Sequence, residues 1–514
     1  MAKFKETEGK QSLFVAVNLQ QQLIPGTFEW TIDYLIDKID ISLFECNYKN
    51  DFFGAAAYSP KILLKSILFC YSKGIISSRK IEKTCRENII AKALAEDFEP
   101  DHATIAGFIA KNSEAVTELF AQVLLQCFKL KLITGEMFGI DGCKLPSNAS
   151  KEWSGTIAEL TKKRDKLLKY ISRILAQHKE SDKNETYKKK LNQFRKAMGD
   201  DAERRERSIK RLEKKLKRLN NFLEEAKPKK GVAIAEVQSN ITDNESARIK
   251  GPHGYIQGYN GITIADSGNQ VIICAQAIGS GAESGCFPQM LDSLEENMKM
   301  LTGKEKPLKK ALVEGDTNYF SEENLQEASK RGIEVLIPDP QFRQRDPYFA
   351  EKKSEKVKKR KKFTMDDFSY DAKKNSYICP AGKVLKYICD VTLRNNSGKQ
   401  YRAQSSDCAN CCLIDKCIKK RGGRKPARAL YKINQKYEKN LSEEMRKKID
   451  EPVYRELYSR RMQIIEPVFS NITYCKGMNR FTLRGKKKVN TQWLLYCIVH
   501  NMWKCMKPLG VKYG

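Results

Sequence analysis

The sequence lacks any uncharged apolar run of the roughly 18 residues that a membrane-spanning helix needs. Its first ten residues, MAKFKETEGK, hold no apolar core, so we expect no secretory signal peptide. Sixteen cysteines in 514 residues are too few for a secreted disulfide scaffold. These absences predict a soluble protein that stays inside the cell, with its cysteines as buried thiols or metal ligands.

Acidic residues are scarce relative to basic ones. The chain carries 63 Asp and Glu against 94 Lys and Arg, a formal net charge of +31. Two windows hold most of the excess: residues 151–230 have 26 basic and 13 acidic residues, and residues 351–430 have 22 and 8. This charge predicts that both windows are insertions that contact a polyanion, by default nucleic acid. A merely solubilising surface is the alternative.

The first basic window has the apolar spacing of a helical hairpin. Leu212, Leu216 and Leu219 follow one another at intervals of four and three residues, and a similar stripe occupies residues 157–174. Residues 180–186 form a polar turn between them, so we predict an antiparallel coiled coil with a basic outer surface. Four basic residues outside the stripe are expected to contact phosphate: Lys214, Lys215, Lys217 and Arg218.

The second basic window begins with a charge run over residues 352–362 and then has the cysteine spacing of a zinc site. Cys379 opens a C-P-A-G turn. Three further cysteines follow in a C-x2-C-x5-C pattern: Cys408, Cys411 and Cys417. Two-residue spacing lets both sulfurs of a turn reach one tetrahedral Zn²⁺, so we predict a structural zinc subdomain. Cys389 or Cys412 could replace one ligand, and buried free thiols are the alternative.

Residues 12–130 show helical apolar spacing throughout. The segment from Ile62 to Tyr71 is one such helix, and Ser77 or Ser78 can cap the next. The pattern predicts an all-helical domain, and its basic residues fit a helix-turn-helix-like DNA-binding module, with any other small helical bundle as the alternative. Those residues are Lys61, Lys65, Arg79, Lys80, Lys83 and Arg86.

After Gly135 the pattern changes to short strands, two of which lead to an aspartate. Residues 137–140 predict a strand that ends at Asp141, and residues 311–313 predict one that ends at Asp316. Residues 258–277 predict a β-hairpin, and residues 442–469 a long helix. The fold class is therefore a mixed α/β sheet with insertions. Carboxylates at adjacent strand ends, with a third from a helix, suit two divalent cations in phosphodiester displacement.

These segments together resemble a bacterial insertion-sequence transposase of the DDE class, over nearly the whole chain. The motifs that carry the resemblance include GIDG at 139–142, GYN at 258–260, DTNYFS at 316–321 and IEPVF at 465–469. The resemblance implies a ribonuclease-H-like catalytic domain. It also implies that three acids hold the catalytic metal: Asp141, Asp316 and Glu466.

The same resemblance implies DNA-phosphate contacts from the last helix. Tyr458 and Arg461 keep the two-residue gap of a Tyr-Arg-Glu-Lys signature. Four residues, instead of three, separate Arg461 from Glu466, and the basic follower is displaced to Lys476. The alternatives for the third acid are Glu456, Asp243 and Asp266, the last of which also suits a hairpin turn.

The implied domain order interleaves a catalytic domain with two insertions. It runs as a helical DNA-binding domain (1–130), the first parts of the catalytic domain (131–150 and 231–345), the coiled-coil insertion (151–230), a basic linker with the zinc subdomain (346–430) and the end of the catalytic domain (431–514). The resemblance implies two Mg²⁺ or Mn²⁺ ions, structural Zn²⁺, and double-stranded DNA as partner, at terminal inverted repeats and target sites. A homodimer assembled on DNA and a cytoplasmic, nucleoid-associated location are expected.

The implied reaction is metal-dependent DNA cleavage followed by strand transfer. Two other functions fit the same composition. One is a catalytically inactive, domesticated transposase that acts as a DNA-binding protein, which the acids present at all three positions disfavour. The other is a structure-selective nuclease, which the helical N-terminal domain and the insertions disfavour.

The basic helical hairpin gives a first prediction. If its outer surface lies on phosphate, neutralising Lys214, Lys215, Lys217 and Arg218 to Gln flattens the salt dependence of duplex binding by up to about 0.9 logarithmic units per lost contact. Preference for element ends over random DNA persists, because phosphate contacts carry no sequence information. Binding titrations over a salt series measure both effects. An unchanged slope would assign the hairpin to a purely structural role.

Overall fold

The computed structural model describes residues 16–48, 56–183, 201–230, 236–251, 254–345, 362–393, 396–418, 427–433 and 440–513. The predicted hairpin turn beyond residue 183 and the charge run at 352–361 lie outside these residues. The chain divides into two compact units. The main unit contains residues 1–337 and 455–514, and the second unit contains residues 338–454.

The N-terminal part of the main unit is helical, as predicted. Its helices are α1 (Phe28–Lys38), α2 (Ser42–Glu45), α3 (Pro60–Ser72), α4 (Ser78–Glu87), α5 (Ile89–Leu94), α6 (His102–Lys111) and α7 (Ser113–Lys129). Polar residues cap several of them: Asp101 Oδ1, for example, accepts hydrogen bonds from the backbone N–H groups of Ala103 and Thr104 at 2.8 and 3.0 Å. Such a cap satisfies N–H groups that have no partner inside the helix.

A six-stranded mixed sheet forms the centre of the main unit. Its strands are β1 (Met137–Pro146), β6 (Ala247–Gly251), β7 (Gly254–Asp266), β8 (Ile272–Ile278), β9 (Leu312–Gly315) and β10 (Glu334–Leu336). Strand β1 is antiparallel to β7 and parallel to β9, β9 is parallel to β10, and β7 also pairs with β6 and β8. The antiparallel part meets the parallel part at β1.

Two short strand pairs lie beside this sheet. They are formed by β2 (Ser154–Gly155) with β5 (Ser239–Asn240) and by β3 (Lys229–Lys230) with β4 (Glu236–Val237). Between β2 and β3 the chain forms the helices α8 (Ile157–Lys183) and α9 (Asp201–Glu225), which pack on each other. Leu160 and Leu219 are fully buried, whereas the four basic residues from Lys214 to Arg218 are exposed.

The remaining helices of the main unit cover the sheet. They are α10 (Phe287–Thr302), α11 (Glu322–Arg331), α17 (Arg461–Ser470) and α18 (Lys486–Tyr513). Helix α18 packs on β8 and on α1, α3 and α7, and so joins the helical region to the sheet. Helix α17 packs on β1 and β7. Its close approach depends on Gly139, because a Cβ there would lie 3.3 Å from the Ile464 side chain.

The second unit contains an antiparallel sheet in the order of its strands: β11 (Ser369–Asp371), β12 (Ser376–Ile378), β13 (Val384–Leu393), β14 (Asn396–Ala403) and β15 (Ala429–Ile433). Its helices are α12 (Phe342–Arg345), α13 (Ser405–Ala409), α14 (Ile414–Cys417) and α15 (Leu441–Asp450). The sheet core contains Tyr377, Leu385, Tyr401 and Leu430.

Two sequence predictions need correction. Strand β1 continues through Asp141 to Pro146, since β7 pairs with its whole length, so Asp141 lies within a strand and not at its end. The predicted single helix over 442–469 is three helices: α15, α16 (Pro452–Ser459) and α17. Pro452 explains the first break, because the residue before a proline is disfavoured in helical conformation. The predicted β-hairpin over 258–277 is confirmed as β7 and β8.

No helix in the described part of the chain is long and apolar enough to cross a membrane.

Candidate active site

Three carboxylates from separate elements meet at one end of the main sheet. Asp141 comes from β1, Asp316 from the residue after β9, and Glu283 from the loop between β8 and α10. One ligand oxygen from each lies within 4.8 Å of the other two. Three anionic oxygens at this separation suit a divalent cation that prefers oxygen ligands, such as Mg²⁺ or Mn²⁺. Among the residues that the structure describes, this is the only cluster of acids, cysteines or histidines with such spacing.

Glu283 is held in place by hydrogen bonds from two asparagine side chains and by an ion pair with a lysine. Asn260 Nδ2 donates to Glu283 Oε1 at 2.7 Å, and Lys144 Nζ lies 3.3 Å from the same oxygen. Asn318 Nδ2 donates to Glu283 Oε2 at 3.2 Å. Glu283 is 3% exposed, so these bonds offset the loss of its hydration. The carboxylate is therefore preorganised towards the two aspartates.

Asn318 also orients Asp316. Its backbone N–H donates to Asp316 Oδ1 at 2.9 Å, and its Nδ2 donates to Asp316 Oδ2 at 2.8 Å. One asparagine thus connects two members of the cluster. Burial raises the pKa of Asp316, and the neighbouring Glu283 carboxylate raises it further.

Asp141 is paired with a buried arginine from α17. Arg461 Nη2 donates to Asp141 Oδ2 at 3.0 Å, and Arg461 is 8% exposed. Burial raises the pKa of Asp141 to about 6, although the Arg461 charge opposes the shift. The Arg461 guanidinium therefore neutralises part of the negative charge of the cluster. Tyr458 lies half-buried near these acids, and burial raises its pKa to about 12.

A fourth acid, Glu314, lies beside this cluster in the interior of the sheet. It is fully buried, and neither of its side-chain oxygens has a hydrogen-bond partner among the described residues. It pairs in register with Gly139, on the face that α17 covers. Burial raises its pKa to about 8, against the opposing charges of Arg461 and Arg460. At neutral pH this side chain is therefore a neutral carboxylic acid.

The structure does not bring Glu466, the predicted third acid, into this cluster. The buried side of α17 is formed by Arg461, Ile464, Ile465 and Val468, whereas Glu466 is exposed. Glu456 is also exposed, and its carboxylate lies 3.4 Å from Arg460. Glu283 was missed by sequence reasoning because it is a single acid in a short Gly- and Ser-rich loop, with no periodicity around it. The GYN motif contained the only signal, through Asn260.

Lys476 requires a second correction. It is 3% exposed, its Nζ donates to Asn471 Oδ1 at 2.6 Å, and it lies 4.9 Å from the centre of the Trp503 ring. Burial lowers its pKa to about 8. Lys476 thus links the segment after α17, at Asn471, to Trp503 of α18 and lies in the interior.

The other alternative acids have structural partners. Asp266 is buried and accepts hydrogen bonds from the backbone N–H groups of Gly135 and Gly268, at 2.8 and 2.9 Å, as its turn position predicted. Asp243 accepts a hydrogen bond from the Tyr259 hydroxyl at 2.8 Å. Both therefore stabilise the sheet and its connections.

Some of the basic residues that were predicted to contact DNA from the helical region lie in its interior. Lys65 is 3% exposed and pairs with Asp33 and Asp37 at 2.6 and 2.9 Å. Exposed basic residues remain on α4, among them Lys80 and Lys83.

The four predicted zinc-binding cysteines line one small cavity of about 30 Å³ in the second unit. Lys383 N donates to Cys379 Sγ at 3.2 Å across a turn that Gly382 closes with φ of +73°. Burial raises the pKa of Cys417, and the other three thiols raise it further. Four cysteines around one cavity are residues of the type that bind a metal as thiolates. No three of their sulfur atoms, however, lie within 4.8 Å of one another, the separation found for the ligand oxygens of the acids.

Two segments of the chain match known transposase families. Residues 378–506 match the family described as "Transposase DDE domain", and residues 17–111 match the family described as "Transposase domain (DUF772)". No curated protein matches the chain. The two matches identify the chain as a DNA transposase of the DDE class, of the kind that insertion sequences encode. The first match includes Glu466, whereas Asp141, Glu283 and Asp316 lie outside both matched ranges.

The buried Glu314 carboxyl gives a prediction for stability. Because its pKa is higher in the folded protein, the folded state retains a proton that the unfolded state loses above its ordinary pKa of 4.5. The free energy of unfolding therefore falls as pH rises from about 4.5 towards about 8, and Glu314→Gln removes this loss. Relative to the wild type, the unfolding temperature of Glu314→Gln should be higher at about pH 9 than at about pH 5.

The matched control is Glu323→Gln, which changes an exposed glutamate. Its unfolding temperature should follow that of the wild type across the range. Identical pH profiles for Glu314→Gln and the wild type would show that the Glu314 carboxyl is not a proton-retaining buried acid.

Proposed function

We propose that this transposase cleaves DNA at the ends of its element and joins the freed ends to target DNA, using Asp141, Asp316 and Glu283 as the metal-binding acids. The observation that carries the proposal is the convergence of these three carboxylates within 4.8 Å. The strand arrangement, three antiparallel strands β8, β7 and β1 followed by parallel β9 and β10, supports a ribonuclease-H-like catalytic domain. The homodimer on DNA and the cytoplasmic, nucleoid-associated location are part of the same proposal.

The residues of the chain prepare the site for a charged transition state. Asp141, Glu283 and Asp316 would hold the divalent cations, which would supply activation of the attacking oxygen and charge neutralisation at the leaving oxygen in phosphodiester displacement. Asn318, Asn260 and Lys144 hold the ligand oxygens in fixed positions, so little reorganisation is needed when the substrate arrives. Arg461, which lies 3.0 Å from Asp141, binds a DNA phosphate in this proposal.

The two insertions are proposed to hold DNA around this centre. Helices α8 and α9, packed through Leu160 and Leu219, act as a coiled coil whose exposed lysines contact phosphate. The four cysteines of the second unit hold a structural Zn²⁺, with the small cavity between them as the metal position. Neither insertion takes part in the chemistry.

The proposed metal-binding acids give a prediction for catalysis. Asp141→Asn, Asp316→Asn and Glu283→Gln each remove a ligand charge and leave the basic surfaces unchanged. We expect each variant to lose Mg²⁺-dependent cleavage of element ends while retaining duplex binding. Gel assays with labelled terminal-repeat DNA measure both activities.

Glu466→Gln is the matched comparison for Glu283→Gln, because both exchange one carboxylate for an amide. With Glu283 as the third ligand, only the Glu283 variant loses cleavage. If only the Glu466 variant lost cleavage, Glu466 would be the third metal ligand, as the sequence resemblance implies. Near wild-type cleavage by either aspartate variant would remove that aspartate from the metal site.

The cysteine cavity gives a prediction for zinc. We expect one Zn²⁺ per chain after purification, lost in Cys408→Ser and in Cys411→Ser, since metal binding supplies much of the folding free energy of such small subdomains. Hydrogen exchange should then increase across residues 379–418. Cys412→Ser, an adjacent exposed cysteine outside the cavity, is the control and should keep its zinc. Active, reduced protein without zinc would contradict the assignment.

A further inference from the structure

The sheet of the second unit carries a pair of facing cations. Strand register places Lys386 on β13 directly opposite Arg402 on β14, and both side chains are exposed. Neither forms an ion pair with any residue in the described part of the chain. Like charges directly opposite each other destabilise an antiparallel pair. An anion bound at this position would remove the penalty.

These cations belong to the solvent-facing side of the sheet. Side chains alternate along a strand, and the neighbours Leu385, Tyr401 and Ala403 form the buried core on the other side. Gln400 and Tyr431 lie on the same outward side, where Gln400 Nε2 donates to the Tyr431 hydroxyl at 3.4 Å. Lys386, Gln400, Arg402 and Tyr431 together define the outer basic face.

Acidic side chains are absent from the outer basic face of β13, β14 and β15. The single acid in these strands is Asp390, which pairs in register with Lys399. Lys399 precedes Tyr401 by two residues and so lies on the inner side, with Asp390 beside it. The three strands thus present no acid outward, and Lys386 and Arg402 lie there among neutral polar groups and the exposed Val384, a charge pattern complementary to a polyanion.

We propose that the outer basic face binds the phosphate backbone of double-stranded DNA. The cations of Lys386 and Arg402 neutralise phosphates, and the Gln400 amide and Tyr431 hydroxyl supply neutral hydrogen bonds of the kind that position a protein on DNA. Tyr431 is the single aromatic residue of this face, whereas single-stranded DNA is bound by several stacked aromatic side chains. The inference rests on the proposed function, which supplies DNA as the partner.

The test is a salt titration of binding with the double variant Lys386→Gln and Arg402→Gln in the full-length chain. The probe is a labelled duplex, with and without the terminal repeat. Losing two phosphate contacts flattens the slope of log K against log salt by about 0.9 for each contact, equally for both duplexes. The single variants Lys386→Gln and Arg402→Gln should each show about half of the change, and Lys386→Arg should keep the wild-type slope.

The matched control is Lys299→Gln with Lys447→Gln, which removes the same charge from exposed residues of α10 and α15, outside both basic windows. Its slope should equal that of the wild type. Circular dichroism of both double variants verifies their folding. An unchanged slope in the Lys386 and Arg402 variant, or an equal change in the control, would overturn the inference. A change confined to single-stranded DNA would overturn it as well.

Cleavage of element ends, measured in parallel, separates this inference from the proposed function. Wild-type cleavage together with an unchanged slope in the double variant would contradict only the outer basic face. A wild-type protein that neither binds nor cleaves duplex DNA would contradict both.

Discussion

The gathering of four acids at one end of the main sheet is the constraint on which the active site depends. Asp141, Glu283 and Asp316 repel one another, and all four acids lose hydration, so compensating groups surround them. Arg461 neutralises Asp141, Asn260 and Lys144 hold Glu283, and burial raises the pKa of Glu314 to about 8. In the proposed function, divalent cations bound by the first three acids would offset their remaining repulsion.

Close packing of a helix on the sheet makes this compensation possible. Gly139 lets α17 approach β1 closely enough for Arg461 to reach Asp141. Gly142 has a similar role on the other side of the same strand, because a Cβ there would lie 2.7 Å from Asn260 Oδ1. Two glycines of the GIDG motif therefore place one arginine and one asparagine around the acids. The motif encodes the shape of the site as well as its charge.

Much of the architecture could be predicted from local patterns. Helical spacing identified the N-terminal helices, alternation and turn residues identified the hairpin of β7 and β8, and a short apolar run before an acid pointed to Asp141 and Asp316. The end of β1 was predicted wrongly because pairing with β7, for example of Gly142 with Ile262, extends that strand beyond its apolar run. The break in the long helix was missed although Pro452 marks it.

The sequence by itself determined the class of protein, the excess of positive charge and its two windows, and two of the clustered acids, because each depends on composition or on residues close together in the chain. The tertiary structure alone decided that Glu283 joins those aspartates, that Glu466 is exposed, and that Lys65 and Lys476 are interior. Burial and the meeting of distant segments depend on how helices pack on the sheet. The residues next to a single lysine or glutamate do not indicate whether that packing will bury its side chain.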